Sequence, residues 1–144
     1  MLSIEQEKLF KELEEYDVLL IPGFQGINAK GEITALGRGG SDTGAVAVAA
    51  AVDAECIIYT DVDGVYTTDP NLVKNAKKIP QISYEEMLEL ASQGAKVLQT
   101  RSVELAMRKK TKLSVKSSMK PKTSGTVFTE ENNKLEKSRL ICLP

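Results

Sequence analysis

The sequence predicts an α/β domain in which helices pack on a sheet. Two observations support this fold class: several segments have the apolar period of helices, and several short, nearly continuous apolar runs are typical of buried strands. The two kinds of segment alternate along the chain. Such alternation is characteristic of layered α/β domains. A length of 144 residues suits one domain, and the sequence contains no internal repeat or low-complexity segment.

Four predicted helices carry end signals in addition to their apolar period. Ser3 with Gln6, and Ser83 with Glu86, have the spacing of a capping box, in which side chains satisfy the first backbone N–H groups. Gly94 is the expected C-cap of the third helix. The predicted helices cover residues 3–16, 42–53, 83–94 and 102–110.

The predicted strands are short and mostly apolar. Residues 17–23 ("DVLLIPG") and 54–60 ("AECIIYT") have runs that indicate burial on both faces of a sheet. Residues 27–36 predict a hairpin that turns near Gly31, because apolar and polar positions alternate after the turn. Further strands at 112–115 and 125–128 precede a polar tail.

Composition excludes several classes of function. A formal charge of −1 argues against a general nucleic-acid or membrane surface. No apolar stretch is long enough to span a bilayer and the N-terminus lacks a cleavage signal, so we expect a cytoplasmic protein. Cys56 and Cys142 lie far apart, which fits a reduced compartment, and Cys56 is expected to be buried. Histidine is absent, so the chemistry proceeds without the commonest general base.

The first candidate site is "GRGGSD", residues 37–42. Glycines let backbone N–H groups approach a ligand, Arg38 presents a planar fork for a carboxylate or phosphate, and a helix N-terminus follows. Ser41 and Asp42 are residue types favoured at N-caps, so a glycine-rich turn with an ordinary cap is the alternative. The spacing matches neither common phosphate-binding fingerprint, and both interpretations stay open.

The second candidate site is "YTDVDGVYTTDP", residues 59–70, which lies just past a predicted buried strand. Ligands of open α/β sheets bind beyond the carboxyl ends of strands, and this segment offers hydroxyls, carboxylates and an aromatic face suited to a nucleoside. A solvated hairpin is the alternative. A calcium loop is excluded because Tyr66 occupies the position that requires glycine. Lys96 is either a surface lysine or, beside a nucleotide, a phosphate ligand.

Taken together, these motifs closely resemble the aspartate kinases, a group within the amino acid kinase family. The similarity runs from about Asp17 to Phe128, and the combination of "GRGGSD" with "TDVDGVYTTDP" is highly specific. The resemblance implies a three-layer αβα sandwich of the amino acid kinase type, incomplete in this chain. The stretches that carry it are "GFQGINAKGEITALGRGGSDTGAVAVAAAV", "IIYTDVDGVYTTDP", "ISYEEMLELASQGAKVL" and "SGTVF".

The resemblance also implies an activity, which is phosphoryl transfer from MgATP to the side-chain carboxylate of L-aspartate. This reaction is the first step of lysine, threonine and methionine biosynthesis. By position, Arg38 would hold a substrate carboxylate and Asp42 would organise the catalytic lysine. The substrate and phosphate path would be lined by Arg38, Gly39, Gly40 and Ser41. The residues expected to contact ATP are Thr60, Asp61, Tyr66, Asn71 and Lys96.

The implied chemistry suits a chain without histidine. An aspartate side chain has an ordinary pKa of about 3.9, so the acceptor is already ionised at neutral pH and needs no general base. Positioning and charge neutralisation can supply most of the catalysis. Mg²⁺ is expected on the ATP phosphates, with no protein metal ligands, and a homo-oligomer is expected.

Departures from the family pattern suggest an incomplete kinase domain. The family's domain begins with a strand and a Lys-Phe-Gly-Gly-Thr motif that supplies a phosphate-binding lysine, and this sequence has no such motif. "LQTRS" stands where the family usually has His-Pro after leucine, and Asn71 stands where an arginine is common. We expect residues 1–129 to be the ATP-binding part of the domain and 130–144 a polar linker, with the regulatory domains absent.

Two other interpretations of the sequence stay open. One is a non-catalytic, nucleotide-binding half-domain that self-associates through unpaired strand edges. The other is an amino acid kinase with a different acceptor, because the residues that select the acceptor lie in the part of the domain that this sequence lacks.

We expect the 144-residue chain alone to lack measurable kinase activity, because it contains no motif that supplies the phosphate-binding lysine. An assay of ADP formation with ATP and Mg²⁺, run with and without L-aspartate, tests this expectation. Aspartate-dependent turnover by the purified chain would contradict it.

Overall fold

The structure is a computed structural model that describes residues 4–94, 97–120 and 122–130. Helices and strands are interspersed along these residues, which confirms the predicted α/β class. The helices are α1 (Gln6–Glu15), α2 (Gly40–Ala51), α3 (Tyr84–Ser92) and α4 (Thr100–Lys109). The strands are β1 (Gln25–Ile27), β2 (Ile33–Ala35), β3 (Cys56–Thr60), β4 (Val65–Tyr66), β5 (Lys78–Ile79), β6 (Gln81–Ser83), β7 (Leu113–Ser117) and β8 (Thr126–Thr129).

A mixed sheet of four strands, in the order β3-β7-β8-β6, forms the centre of the fold. β3 is parallel to β7, with Cys56 opposite Leu113 and Thr60 opposite Ser117. β6 is parallel to β8, whereas β7 and β8 are antiparallel. β1 pairs with β2 and β4 pairs with β5 in separate antiparallel ribbons, the first of which is the predicted hairpin.

One apolar core lies between this sheet and the helices α2, α3 and α4. Val46 of α2, Met87 of α3 and Val103 of α4 are fully buried together with Leu113 and Val115 of β7. Burial of side chains of this size stabilises a fold by roughly 1.5–3 kcal/mol each. The sheet therefore has one face covered by helices.

The other face of the sheet is open in the described part of the chain. Along β3, Ile57 and Tyr59 alternate with core-facing residues and are exposed, and Val127 of β8 is exposed as well. The prediction that residues 54–60 are buried on both faces is therefore wrong, because the described helices cover only one face. The described residues form a sheet and one helical layer of an incomplete sandwich.

Residues 17–23 are not a strand, contrary to the prediction. Val18 is 83% exposed and Leu20 is 98% exposed. An apolar run keeps strand geometry only when a neighbouring strand pairs its backbone, and none of the described strands pairs with this segment. The helix before it, α1, likewise buries none of its side chains.

Helix ends match the predictions only in part. The predicted capping box of α3 is confirmed, because Ser83 Oγ accepts a hydrogen bond from the Glu86 N–H at 3.1 Å and Glu86 Oε2 accepts one from the Ser83 N–H at 2.9 Å. Gly94 lies one residue beyond the C-cap of α3, with φ of 103°. The N-cap of α1 is Glu5, which makes no side-chain capping hydrogen bond, so this helix begins later than the predicted residue 3. Ser3, and with it the capping box predicted for α1, lies outside the described residues.

Thr126 attaches the β4–β5 ribbon, which the sequence did not predict, to the central sheet. Its side chain is fully buried, and Oγ1 accepts a hydrogen bond from the Val65 N–H at 2.8 Å while donating one to the Ile79 carbonyl at 2.6 Å. Gly64, with φ of 146°, approaches so closely that a Cβ there would lie 2.7 Å from Thr126 Oγ1. Glycine is therefore required where the chain leaves β3 for this ribbon.

Thr126→Val should lower the free energy of unfolding by about 2 kcal/mol, because valine fills the space but leaves the buried Val65 N–H and Ile79 carbonyl unpaired. Urea denaturation at neutral pH measures the change. Thr129→Val is the matched control, because that hydroxyl is partly exposed and lies 3.5 Å from the Ile82 carbonyl. Equal losses of stability in the two variants would contradict the assignment.

Candidate functional site

The segment before α2, which we call the glycine loop (residues 36–40), is a tight turn. The Gly40 N–H donates to the Gly37 carbonyl at 2.9 Å. Gly37 and Gly39 have φ of 78° and 70°, in the left-handed region that favours glycine. Gly39 is the N-cap of α2, and its carbonyl accepts from the Thr43 N–H at 3.0 Å and from Thr43 Oγ1 at 2.9 Å.

α2 begins earlier than its predicted start at residue 42. Because Gly39 is the N-cap, Ser41 and Asp42 occupy the second and third helical positions and do not cap the helix. Their backbone N–H groups have no hydrogen-bond acceptor among the described residues. Unpaired N–H groups at a helix N-terminus carry partial positive charge. The start of α2 is therefore able to bind an anion.

Two charged side chains accompany these N–H groups. Arg38 is exposed, and its guanidinium makes no hydrogen bond or ion pair within the described part of the chain. Asp42 is half-buried, and burial raises the pKa of its carboxyl group. Burial, with a smaller contribution from the charge of Asp42, raises the pKa of the Cys56 thiol to about 11. Arg38 is thus the side chain that is available to an anionic ligand here.

The segment after β3, which we call the acidic loop (residues 61–70), lies at the carboxyl edge of the sheet. The Thr60 hydroxyl donates to Asp61 Oδ1 at 3.0 Å. The Thr60 carbonyl accepts from the Ser118 N–H at 2.8 Å and from Ser118 Oγ at 3.0 Å. Because Ser118 follows β7, which is parallel to β3, these bonds join the ends of two parallel strands. Open α/β folds bind ligands at this edge.

A hydrogen-bonded pair orders the acidic loop. The Tyr66 hydroxyl donates to Asp63 Oδ1 at 2.6 Å, and Lys78 Nζ lies 3.6 Å from Asp63 Oδ2. The hydrogen bond from Tyr66, assisted by the charge of Lys78 and opposed by partial burial, lowers the pKa of Asp63. The same bond is the main reason that the pKa of Tyr66 is raised. Asp63 is therefore ionised and Tyr66 protonated at neutral pH.

The remaining predicted ATP contacts lie apart from this pair. Asn71 is exposed just past the acidic loop, in a turn where its N–H donates to Asp69 Oδ1 at 2.8 Å. Lys96 lies outside the described residues. The structure thus joins Thr60 to Asp61 and Tyr66 to Asp63 by hydrogen bonds, and it leaves Asn71 in a separate turn.

The glycine loop and the acidic loop lie at the same edge of the sheet. α2 packs against β3 and leads into it through residues 52–55. Because the helix and the strand run in opposite directions, the start of α2 and the end of β3 lie at the same edge. The two motifs that the sequence singled out are thus brought to one side of the fold.

Across residues 4–94, 97–120 and 122–130, no group of three His, Cys, Asp or Glu side chains is close enough to hold a metal ion. Within the same residues, none of the helices has the length and apolar character needed to cross a membrane.

Two residues at the start of α4 contact the glycine loop and were missed by the sequence analysis. Arg101 Nη2 donates to the Leu36 carbonyl at 2.9 Å and to the Arg38 carbonyl at 3.0 Å. The Gln99 side chain packs so closely on Gly39 that a Cβ there would collide with it. Leu36 and Arg101 are 65 positions apart, and no local sequence signal reports a contact at that separation.

Comparison with known proteins shows a relationship over most of the chain. Residues 1–117 match the profile of the amino acid kinase family. An aspartokinase of Bacillus sp. (strain MGA3) is 57% identical over 132 residues, which cover 91% of this chain and 32% of that protein. The chain spans about a third of the length of the curated relatives that it matches.

Solved structures show the same fold. Aspartokinase III of E. coli, in complex with aspartate and ADP (R-state), matches with a TM-score of 0.80 and 40% identity, over 88% of this chain and 29% of that one. Uridylate kinase from Archaeoglobus fulgidus matches with a TM-score of 0.52 and 28% identity, over 62% of this chain and 46% of that one. The chain therefore belongs to the amino acid kinase family, whose aspartokinases it resembles in both sequence and fold.

Proposed function

We propose that residues 1–129 are the ATP-binding part of an aspartate kinase, which transfers a phosphoryl group from MgATP to the side-chain carboxylate of L-aspartate. The observation that carries the proposal is the start of α2, where the unpaired N–H groups of Ser41 and Asp42 accompany the exposed Arg38. The similar aspartokinase III of E. coli binds aspartate and ADP, which are one substrate and one product of this reaction.

The proposed reaction brings two anions together, so the protein has to offset their repulsion. Arg38 would bind a carboxylate of aspartate through its planar fork of N–H donors. The N–H groups of Ser41 and Asp42 would stabilise the charge of the transferred phosphoryl group. Gly39 and Gly40 would line the path between the ligands without side chains. The Asp42 carboxylate would organise a catalytic lysine.

ATP would bind across the acidic loop. Thr60 and Asp61 offer a hydroxyl and an exposed carboxylate, which can bond the hydroxyl groups of a ribose. The Tyr66 ring is held in one orientation by Asp63 and would flank the nucleoside. Asn71 and Lys96 would contact the outer part of the nucleotide. Mg²⁺ bound through the ATP phosphates would neutralise part of their charge.

A kinase of the same family with a different acceptor is the second candidate. The similarity to a uridylate kinase, at 28% identity, favours it because both chains share the fold on which the glycine loop is built. The two candidates differ in the anion that Arg38 would bind, which is a carboxylate in one case and the phosphate of a nucleotide in the other.

Self-association of a non-catalytic half-domain stays a prediction. The open face of the sheet, with exposed Ile57 and Tyr59, and the exposed Val18 and Leu20 favour it. Exposed apolar groups of this kind are common at protein–protein contacts.

Arg38→Gln should weaken the binding of L-aspartate to the 144-residue chain by about 10-fold, because the variant loses a charge-assisted fork. NMR titration of the ¹⁵N-labelled protein with L-aspartate, ADP and UMP, one at a time, measures the affinities. Aspartate is expected to shift the amide signals of Ser41 and Asp42, and ADP those of Thr60 and Asp61.

Arg108→Gln is the matched control for this titration, because Arg108 is an exposed arginine in the last turn of α4. Its affinity for L-aspartate should equal that of the wild type. Binding of UMP, in place of aspartate, at Ser41 and Asp42 would favour the second candidate. Failure of the wild-type chain to bind either acceptor would refute the proposed site.

Tyr66→Phe should raise the pKa of Asp63, because the hydrogen bond from Tyr66 is the largest cause of its lowering. A lowered carboxyl pKa stabilises the fold above the ordinary value of about 4, and this contribution is lost as the pH falls through the folded-state value. The stability advantage of the wild type over Tyr66→Phe should therefore shrink below about pH 4.

A ¹³C NMR titration of the Asp63 carboxyl carbon measures this pKa, and urea denaturation at several pH values measures the stability. Tyr59→Phe is the control, because the Tyr59 ring is 57% exposed and makes no hydrogen bond within the described residues. An Asp63 pKa that is the same in Tyr66→Phe and in the wild type would show that the bond does not hold the loop.

A further inference from the structure

We propose that Arg101 is a positioning residue that holds the glycine loop in the conformation that binds an anion; this inference rests on the proposed function. Arg101 lies in the first turn of α4, and its Nη2 bridges the carbonyls of Leu36 and Arg38, at 2.9 Å and 3.0 Å. Hydrogen bonds from a guanidinium are stronger than those between neutral groups. One side chain thus holds two carbonyls of the same short loop.

These two bonds decide where other backbone groups of the loop point. In a planar trans peptide, the C=O and the following N–H point in opposite directions. Because the carbonyls of Leu36 and Arg38 face Arg101, the N–H groups of Gly37 and Gly39 face away from it. In the described part of the chain, no acceptor pairs with either N–H. The loop therefore has two backbone donors without an acceptor in the described residues, in addition to those of Ser41 and Asp42.

Arg101 also holds the backbone of Arg38, the residue proposed to bind the substrate carboxylate. The Arg38 carbonyl is bonded to Arg101, whereas the Arg38 side chain extends into solvent. The backbone of Arg38 is therefore fixed and its guanidinium stays available to a ligand. Preorganisation of this kind raises affinity, because less freedom is lost on binding.

α4 is a rigid base for this contact. Val103 and Ala106 of α4 are fully buried in the core, and α4 packs against α2. Gln99, the N-cap of α4, packs closely on Gly39. The loop is thus attached both to α2, through the N-cap Gly39, and to α4, through Arg101 and Gln99.

The experiment compares Arg101→Gln and Arg101→Lys with the control Arg108→Gln in the 144-residue chain. The first readout needs no ligand. It is the hydrogen exchange of the Gly40 and Thr43 amides, which donate to carbonyls of the glycine loop. We expect Arg101→Gln to speed both by about 10-fold, while amides of β7 keep their wild-type rates, because the effect is local.

The second readout is the affinity for L-aspartate, measured by NMR titration. We expect Arg101→Gln to weaken it by about 10-fold and Arg108→Gln to leave it unchanged. Arg101→Lys keeps the charge but lacks the rigid fork, so it should restore less than half of the lost binding energy. Full recovery of affinity in Arg101→Lys, with Gly40 and Thr43 amides that exchange as fast as in Arg101→Gln, would show that charge alone suffices and would overturn the positioning role.

The two readouts separate this inference from the proposed function. If the wild-type chain does not bind L-aspartate, the proposed function fails, and the exchange rates alone decide whether Arg101 positions the loop. Equal exchange rates of the Gly40 and Thr43 amides in Arg101→Gln and Arg108→Gln would overturn the inference, whichever ligand binds.

Discussion

The packing of α2 and α3 against α4, over the strand β7, is the interaction on which the rest of the structure depends. Val46, Met87 and Val103 come from the three helices and meet Val115 of β7 with no exposed surface. Burial of apolar surface is non-directional, but close packing fixes the helices relative to the sheet. The start of α2 and the start of α4 are set by this packing, and the glycine loop lies between them.

Features that depend on nearby residues could be predicted from the sequence. The Ser83–Glu86 capping box spans three positions, and both of its hydrogen bonds are present. The two site motifs could be identified because glycine, arginine and carboxylates are unusual next to apolar runs.

Features that depend on distant residues could not be predicted. The β4–β5 ribbon depends on the bond from Val65 to Thr126, 61 positions away, and strand geometry at residues 17–23 needed a neighbour that the described strands do not supply.

In the candidate site too, some features could be predicted from the sequence and others could not. Its residue types were evident, but the backbone groups left unpaired were not, because they depend on where α2 begins. Because α2 begins two residues before the predicted residue 42, Gly39 is the N-cap, and the Ser41 and Asp42 N–H groups have no acceptor among the described residues. Likewise, Asp63 and Asp42 are alike in sequence, yet a hydrogen bond lowers the pKa of the first and burial raises that of the second.

The buried Cys56 has a consequence for the chemical durability of this fold. Thiolates, not thiols, react with oxidants and alkylating agents, and a thiol pKa of about 11 leaves little thiolate at neutral pH. Cys56 also has only 5% of its surface exposed. Its modification therefore requires the layer between α2 and β3 to open. The rate at which a thiol reagent labels Cys56 thus measures how often the core opens locally.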